Sequence, residues 1–350
     1  MCWTDFVKHF TNLEICLLNP AAAKNDDRTA WNAASHQGSW QMYVNAGGAA
    51  GPMYHSNPQF IMALEQDDKV VIGLMQDNSR KGGDQHSIGF DLYRLEDEAK
   101  EFLDKGRLPK MWFGLNTATE KINNQKDVEV SGEFSLSSGR YLIVPHTDCS
   151  QVEADFLLRI YSENPIQSGP LDTETHLLDT ALPPKPTPDD KLRDFFTVEA
   201  GEDGLIDAFE LQKILTGDLA QQLGGRQCSL EACRSMLCVV DADRNGTLDF
   251  EEFQMLWQVR LVKWKDVFEE FDRDNSGDMD TLELRDAMEI LGIAISSNVL
   301  SSLVLRYANR AGAINFDDFV QICCRVRATL EIRGKKDAHL DEVMMAALYC

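Results

Sequence analysis

The chain has 350 residues, 43% of them hydrophobic and 26% charged, with a formal net charge of −23. That length exceeds one ordinary core and points to two domains of a globular chain. The acidic balance excludes a nucleic-acid binder, which needs a basic face, and suits a collector of cations.

In chain order, the opening stretch MCWTDFVKHFTNLEICLLNP carries acids and no clean apolar run, so it does not read as a signal peptide. No later run of about 18 apolar residues offers a membrane-spanning helix. Nine cysteines are scattered without CxxC or zinc-like spacing and read as buried or idle thiols in a reducing cytosol. From Trp31 to Ser162 short apolar or alternating runs are separated by turn residues. Lys69–Gln76, Ser87–Leu95, Val128–Leu136, Gly139–Thr147 and Ala154–Glu163 are strand candidates, split by SRKGGDQ, NNQKD and SSG. This predicts an antiparallel sandwich, with Pro145 marking an edge or bulge. The proline-rich stretch 164–190 then reads as a stiff extended linker and the domain boundary.

After Lys191 the spacing turns helical. KLRDFFTVEA and AFELQKILTGDLAQQL are amphipathic, Ser229 caps LEACRSMLCVVD, and EEFQMLWQVRLVKWKDVFEEFD reads as one long helix. Ser296 or Ser297 caps NVLSSLVLRYA, and FDDFVQICCRVRATLEI and LDEVMMAALYC follow. The half is all-α, built of helix–loop–helix units about 30 to 40 residues apart.

The loops between these helices carry the chemistry. Calcium takes about six to eight oxygens, which a twelve-residue loop supplies from positions 1, 3, 5, 7, 9 and 12, with glycine turning the chain at position 6. DADRNGTLDFEE fills every place: Asp241, Asp243, Asn245, Asp249 and Glu252 offer side chains, Thr247 its carbonyl, and Gly246 the turn. DRDNSGDMDTLE fills them again, with Asp272, Asp274, Ser276, Asp280 and Glu283, the carbonyl of Asp278, and Gly277. Leu248 and Met279, at position 8, are placed to pair with neighbouring loops. Tyr307–Asp318 keeps Gly312 and Ile314 but lacks ligands, and EIRGKKDAHLDEV puts lysines where oxygens are needed; both are expected to hold no metal. AGEDGLIDAFE, 200–210, is one residue short, with Glu210 placed as a bidentate ligand, Asp203 to coordinate and Ile206 in the pairing position.

Five such units in series resemble the penta-EF-hand family, of which a short first loop opening on AGED is a mark. The resemblance adds the carbonyls of Ala200 and Leu205 as ligands. FTNLEICLLNP, GSWQMYVNAGG, NPQF, HSIGFDLYRL, GRYLIVPHT and EADFLLRIYSE resemble the regions that follow the protease core of the calpains, intracellular calcium-dependent cysteine endopeptidases. The resemblance implies a multidomain β + α chain: the end of a protease core at 1–20, an antiparallel C2-like β-sandwich at 21–163, the linker at 164–190 and an all-α penta-EF-hand domain at 191–350. It also implies pairing of the last hand with a penta-EF-hand regulatory subunit or a second copy, although that segment is shortened here.

The family's Cys–His–Asn catalytic set belongs to a core that would precede these residues. Cys2, His146 and Asn164 mimic its spacing, but no Gln-containing segment precedes Cys2 and no helix carries it, so no catalytic residues are assigned. The expected function is that of a cytoplasmic, calcium-binding regulatory module. The alternative is a calcium-dependent adaptor that offers Met255, Trp257, Trp264, Met344 and Met345 to a partner protein or a phospholipid membrane. Glu65, Asp67 and Asp68, with Glu96, Asp97 and Glu98, form two acidic turns; solvated loops are the plain reading, and a calcium or phospholipid site neutralised by Arg80 and Lys81 the sharper one.

Overall fold

A computed structural model describes residues 3–9, 31–77, 85–172, 174–178, 185–272 and 274–333. After a short helix α1 (Trp3–His9), nine strands build a sandwich. They are β1 (Asn32–Trp40), β2 (Phe60–Leu64), β3 (Asp68–Asp77), β4 (Ile88–Leu95), β5 (Glu120–Gln125), β6 (Glu129–Leu136), β7 (Gly139–Thr147), β8 (Ala154–Ser162) and β9 (Gln167–Pro170). One sheet runs β1-β8-β3-β6 and the other β5-β4-β7-β2-β9, with antiparallel pairing throughout. The inner faces meet in a core of Trp40, Phe60, Met62, Ile72, Leu74, Phe90, Leu158 and Ile160.

The outer face of the five-stranded sheet is covered as well. Helices α2 (Lys100–Asp104) and α3 (Lys110–Leu115) follow β4, and Leu108 and Trp112 pack there on Tyr93, Leu95, Leu142 and Val144. A strand covered on both faces has no solvent side. Ser87–Leu95, read from sequence as alternating, is therefore buried at seven of the eight β4 positions. Asn123, Asn124 and Gln125, read as a turn, are strand residues of β5. Pro145 lies in the middle strand of its sheet, but β2 pairs β7 only from Gly139 to Ile143. Its missing N–H thus falls on a stretch with a neighbour on one side only.

The described residues of 164–190, expected as a stiff extended linker, are paired with both halves. β9 pairs with β2, and β10 (His176–Leu177) pairs with β12 (Ile293–Ala294) of the helical half. Gln254 Nε2 donates to the Thr187 carbonyl at 2.7 Å. Backbone donors and acceptors beside an open edge are satisfied by pairing, which spacing in the sequence does not reveal.

The helical half comprises α4 (Asp190–Glu199), α5 (Ala208–Thr216), α6 (Leu230–Val240), α7 (Phe250–Gln254), α8 (Val262–Phe271), β11 (Asp278–Asp280), α9 (Thr281–Ile290), β12, α10 (Ser297–Tyr307), β13 (Ala313–Asn315) and α11 (Phe316–Arg333). The segment expected as one helix over 208–223 ends its α-helix at Thr216, and a 3₁₀ turn (Ala220–Leu223) follows. The helical path from α7 to α8 is unbroken but π-helical over Met255–Leu261. Ser229 caps α6 by accepting from the Ala232 amide at 3.1 Å, and Ser296, not Ser297, caps α10. Trp257 and Trp264 belong to this half's core, so packing accounts for them. Among the described residues five cysteines are free thiols, but Cys238 on α6 is disulfide-bonded, which corrects the expectation of thiols alone. Proximity of sulfurs is a tertiary fact that sequence spacing does not show.

The loop after β1 enters the helical half. Val44 joins its core, and Tyr43 lies against Gly312, whose φ is 75°. A Cβ at Gly312 would stand 2.2 Å from the Tyr43 ring. Gly312→Ala is expected to cost about 1–3 kcal/mol of stability in urea unfolding of the full chain. Tyr43→Ala should recover part of that loss in the double variant; strict additivity of the two changes would show that the ring is not the obstacle.

Candidate calcium sites

The four described loops each join two helices and sit in two back-to-back pairs. Ile206 and Leu248 exchange backbone hydrogen bonds of 2.9 and 2.8 Å, which joins 200–210 to 241–252. Met279 stands opposite Ile314 in the β11–β13 ribbon, which joins 272–283 to 307–318. All four apolar residues are buried. The pairing positions singled out in the sequence therefore meet as pairs.

Loop 241–252 gathers acid around a turn. Asp241 ends α6, and its carboxylate accepts from the Gly246 amide at 2.9 Å and the Asn245 amide at 3.2 Å. Asn245 donates its Nδ2 to Asp243 at 2.9 Å and accepts from the Thr247 amide at 2.8 Å. Asp249 caps α7 by accepting from the Glu252 amide at 2.9 Å. Glu252 reaches back to the amides of Ala242 at 2.8 Å and Asp249 at 3.2 Å. Carboxylate oxygens of Asp241, Asp243 and Glu252 lie within 4.8 Å of one another. Burial raises the Glu252 pKa, the charges of Asp249 and Asp241 add to the rise, and its two backbone donors oppose it. Three crowded acids, held by N–H groups and facing one point, fit a hard divalent cation.

Loop 272–283 repeats the frame. Asp272 ends α8 and accepts from the Gly277 amide at 3.2 Å, Ser276 donates its amide to Asp274 at 3.2 Å, and Asp280 caps α9 through the Leu282 amide at 2.8 Å. The hydrogen bonds from Ser276 hold the Asp274 carboxyl below its ordinary range. Among the described residues this loop does not form a three-acid group of that tightness. Asp272 is instead bonded by Arg226 at 3.1 Å, and Glu283 lines a cavity of about 980 Å³ shared with Lys105, Trp264 and Glu270. Both loops carry two left-handed residues, at positions 4 and 6: Arg244 and Gly246, then Asn275 and Gly277. Sequence reading picked out the glycine alone.

In 200–210, Ala200 ends α4, Asp203 accepts from the Leu205 amide at 3.2 Å, and Glu210 reaches back to the Asp207 amide at 2.9 Å. Asp207 caps α5, where Asp249 and Asp280 stand in the other loops, and sequence reading missed it. The signal was present as Asp-x-x-Glu, a capping box at 207–210, 249–252 and, as a sequence pattern, 280–283. In 307–318 Asn309 accepts from the amides of Ala311 and Ala313, and Asn315 pairs with Asp318, while the buried Tyr307 hydroxyl finds no partner. The loop expected near the end lies outside the described residues apart from its start on α11, as do Met344, Met345, Arg80, Lys81 and Cys2.

The sandwich acids have local uses. Asp68 accepts the amides of Lys69, Glu163 and Asn164, Asp67 that of Ser138, and Glu96 lies 3.5 Å from Arg94. His146 is buried on β7, with Nε2 3.8 Å from Asp91, which also accepts from Tyr54 Oη at 2.8 Å. Burial works to raise the Asp91 pKa, but hydrogen bonds from His146 and Tyr54, with the charges of His146 and Lys121, hold it below the ordinary value. His146 is thus committed to a pocket of the sandwich.

Helix α9, leaving loop 272–283, holds the two halves together. Arg285 pairs with Asp172, which also lies 3.7 Å from Arg107 and accepts from Ser297 Oγ at 2.8 Å. Arg107 donates to the His55 carbonyl, and His55 Nε2 lies 2.9 Å from Asp286 on the same α9. Arg107 and Arg285 are both buried.

Comparison with known proteins follows the same division. The family model for calpain large subunit, domain III, matches residues 36–161. An EF-hand domain pair matches 202–260 and a further EF-hand domain 263–292. The chain is 33% identical to calpain-9 of Rattus norvegicus over 97% of its own length and 52% of that protein. It is 33% identical to the calpain-1 catalytic subunit of Gallus gallus over 93% of its length and 49% of that protein. With the calpain-2 catalytic subunit of Oryctolagus cuniculus the identity is 32%, over 96% of this chain and 84% of that one. The chain thus spans about half the length of the first two relatives and most of the third. Because the likeness runs through sandwich and helical half in one order, the chain belongs to the calpain family.

Proposed function

We propose that this chain is the calcium-responsive regulatory part of a calpain-type cysteine endopeptidase, acting in the cytoplasm without catalytic residues of its own. The observation that carries the reading is the convergence of Asp241, Asp243 and Glu252. Three loops take the ion. Ala200, Asp203, Leu205 and Glu210 serve the first; Asp241, Asp243, Asn245, Thr247, Asp249 and Glu252 the second; Asp272, Asp274, Ser276, Asp278, Asp280 and Glu283 the third. Bound calcium supplies the double positive charge that these acids lack.

The protein's own part is mechanical. Glu252 and Glu283 sit on the helices that leave their loops, so drawing them toward Asp241 and Asp272 reorients α7 and α9. Helix α9 carries Arg285 and Asp286, and through Asp172, Arg107 and His55 its movement reaches the sandwich. The last of the five units expected from the sequence, most of which lies outside the described residues, pairs with a penta-EF-hand regulatory subunit or a second copy. Among the described residues, Trp257 and Trp264 are core and Asp67 and Asp68 are bonded to backbone amides, which favours the regulatory reading over the adaptor or phospholipid one.

Isothermal calcium titration of the full chain should find about three sites. Glu252→Gln and Glu283→Gln should each delete one, and a chain that takes up no calcium at millimolar levels would end the proposal. Arg285→Met should leave the stoichiometry unchanged while removing any calcium-induced change in hydrogen exchange around β2 and α2; a change that persists would place the coupling elsewhere. Casein should survive incubation with the chain and calcium, and its hydrolysis would show a catalytic set of the chain's own.

A further inference from the structure

Loop 272–283 already holds a cation supplied by the chain. Arg226 lies in the turn between α5 and α6, and its Nη2 donates to Asp272 Oδ2 at 3.1 Å. Asp272 holds the first ligand position, and its side chain has no exposure. The other arm, Nη1, donates to Glu269 Oε1 at 2.8 Å. The guanidinium centre stands 5.3 Å from the Phe268 ring and 5.7 Å from the Phe316 ring. The site is built for it: Gly224, at φ 69°, has no Cβ, and a Cβ there would come within 2.7 Å of Arg226 Nη1. Arg226 Nε is buried and finds no acceptor, so the side chain is held by its two carboxylates and the rings beneath.

A guanidinium and a divalent cation on one buried carboxylate repel each other with little water between them. We propose that Arg226 is an internal counter-cation that competes with calcium for Asp272, and so makes 272–283 the weaker site, filled after 241–252. Glu269 keeps Arg226 nearby when Asp272 is given up, so the exchange is reversible. Release of Asp272 leaves Glu269 as the remaining one of the two carboxylates that bond Arg226, which loosens the turn between α5 and α6 and ties filling of this loop to the pair of loops before it. The inference rests on the calcium reading of 272–283.

The test is calcium titration of the full chain carrying Arg226→Gln, with Asp272→Asn in each background to identify the site. The Asp272-sensitive site should tighten roughly tenfold while the others hold their affinities. In chelator the variant should melt below the parent, because buried Asp272 has lost its partner, and calcium should raise its melting temperature by more than it raises the parent's. An Asp272-sensitive site of equal affinity in both proteins would overturn the competition and leave the calcium reading standing. Absence of any Asp272-sensitive site in either protein would remove both. Should Arg226→Gln not fold, Arg226→Lys keeps the charge without the fork and should tighten the same site by a smaller factor; no tightening there would overturn the inference.

Discussion

Like charges held close together are the constraint on which this molecule turns. Asp241, Asp243 and Glu252 repel one another, yet loop 241–252 brings their oxygens within 4.8 Å. Backbone amides make this tolerable. Those of Gly246 and Asn245 point at Asp241, and those of Ala242 and Asp249 at Glu252. Asp249 also caps α7 and Glu252 lies in its first turn, where the helix dipole favours anions. Burial first, and then the charges of Asp249 and Asp241 that the amides leave uncompensated, raise the pKa of Glu252.

The same problem is solved differently at 272–283, where Arg226 lies on Asp272. Two loops with nearly the same ligand pattern thus hold different electrostatic states. The junction between the halves uses charge as well, with Arg107 and Arg285 sharing Asp172 in a nearly dry setting. Buried ion pairs of this kind add little net stability, but removing one partner leaves an uncompensated charge. Their use here is registry: they fix α9 against Asp172, Arg107 of the sandwich and Ser297 at once. Tyr43 adds a steric lock at Gly312, in a loop where Asn309 and Asn315 are bonded within the protein.

Much of the candidate site was legible because its information is local. Twelve consecutive residues supply the acids, the turn and the cap, and Asp-x-x-Glu marks the start of α5, α7 and α9. The long strands were legible for the same reason, since β3, β4, β6, β7 and β8 each carry their own apolar runs. The short or polar ones were not. β5 is Glu-Lys-Ile-Asn-Asn-Gln, and only its place beside β4 makes it a strand. β9 and β10 were hidden in proline-rich chain, whose composition says stiff and extended but not what lies alongside.

By itself the sequence determined the class of each half, the positions of the loops and the type of ion they suit, because periodicity and ligand spacing are properties of neighbours along the chain. Tertiary structure alone decided which loops pair, that Arg226 reaches Asp272 across 46 residues, and that α9 is bonded to residues more than a hundred positions away. Contacts of that range depend on how separately folded elements meet, and no local pattern in the sequence encodes that meeting.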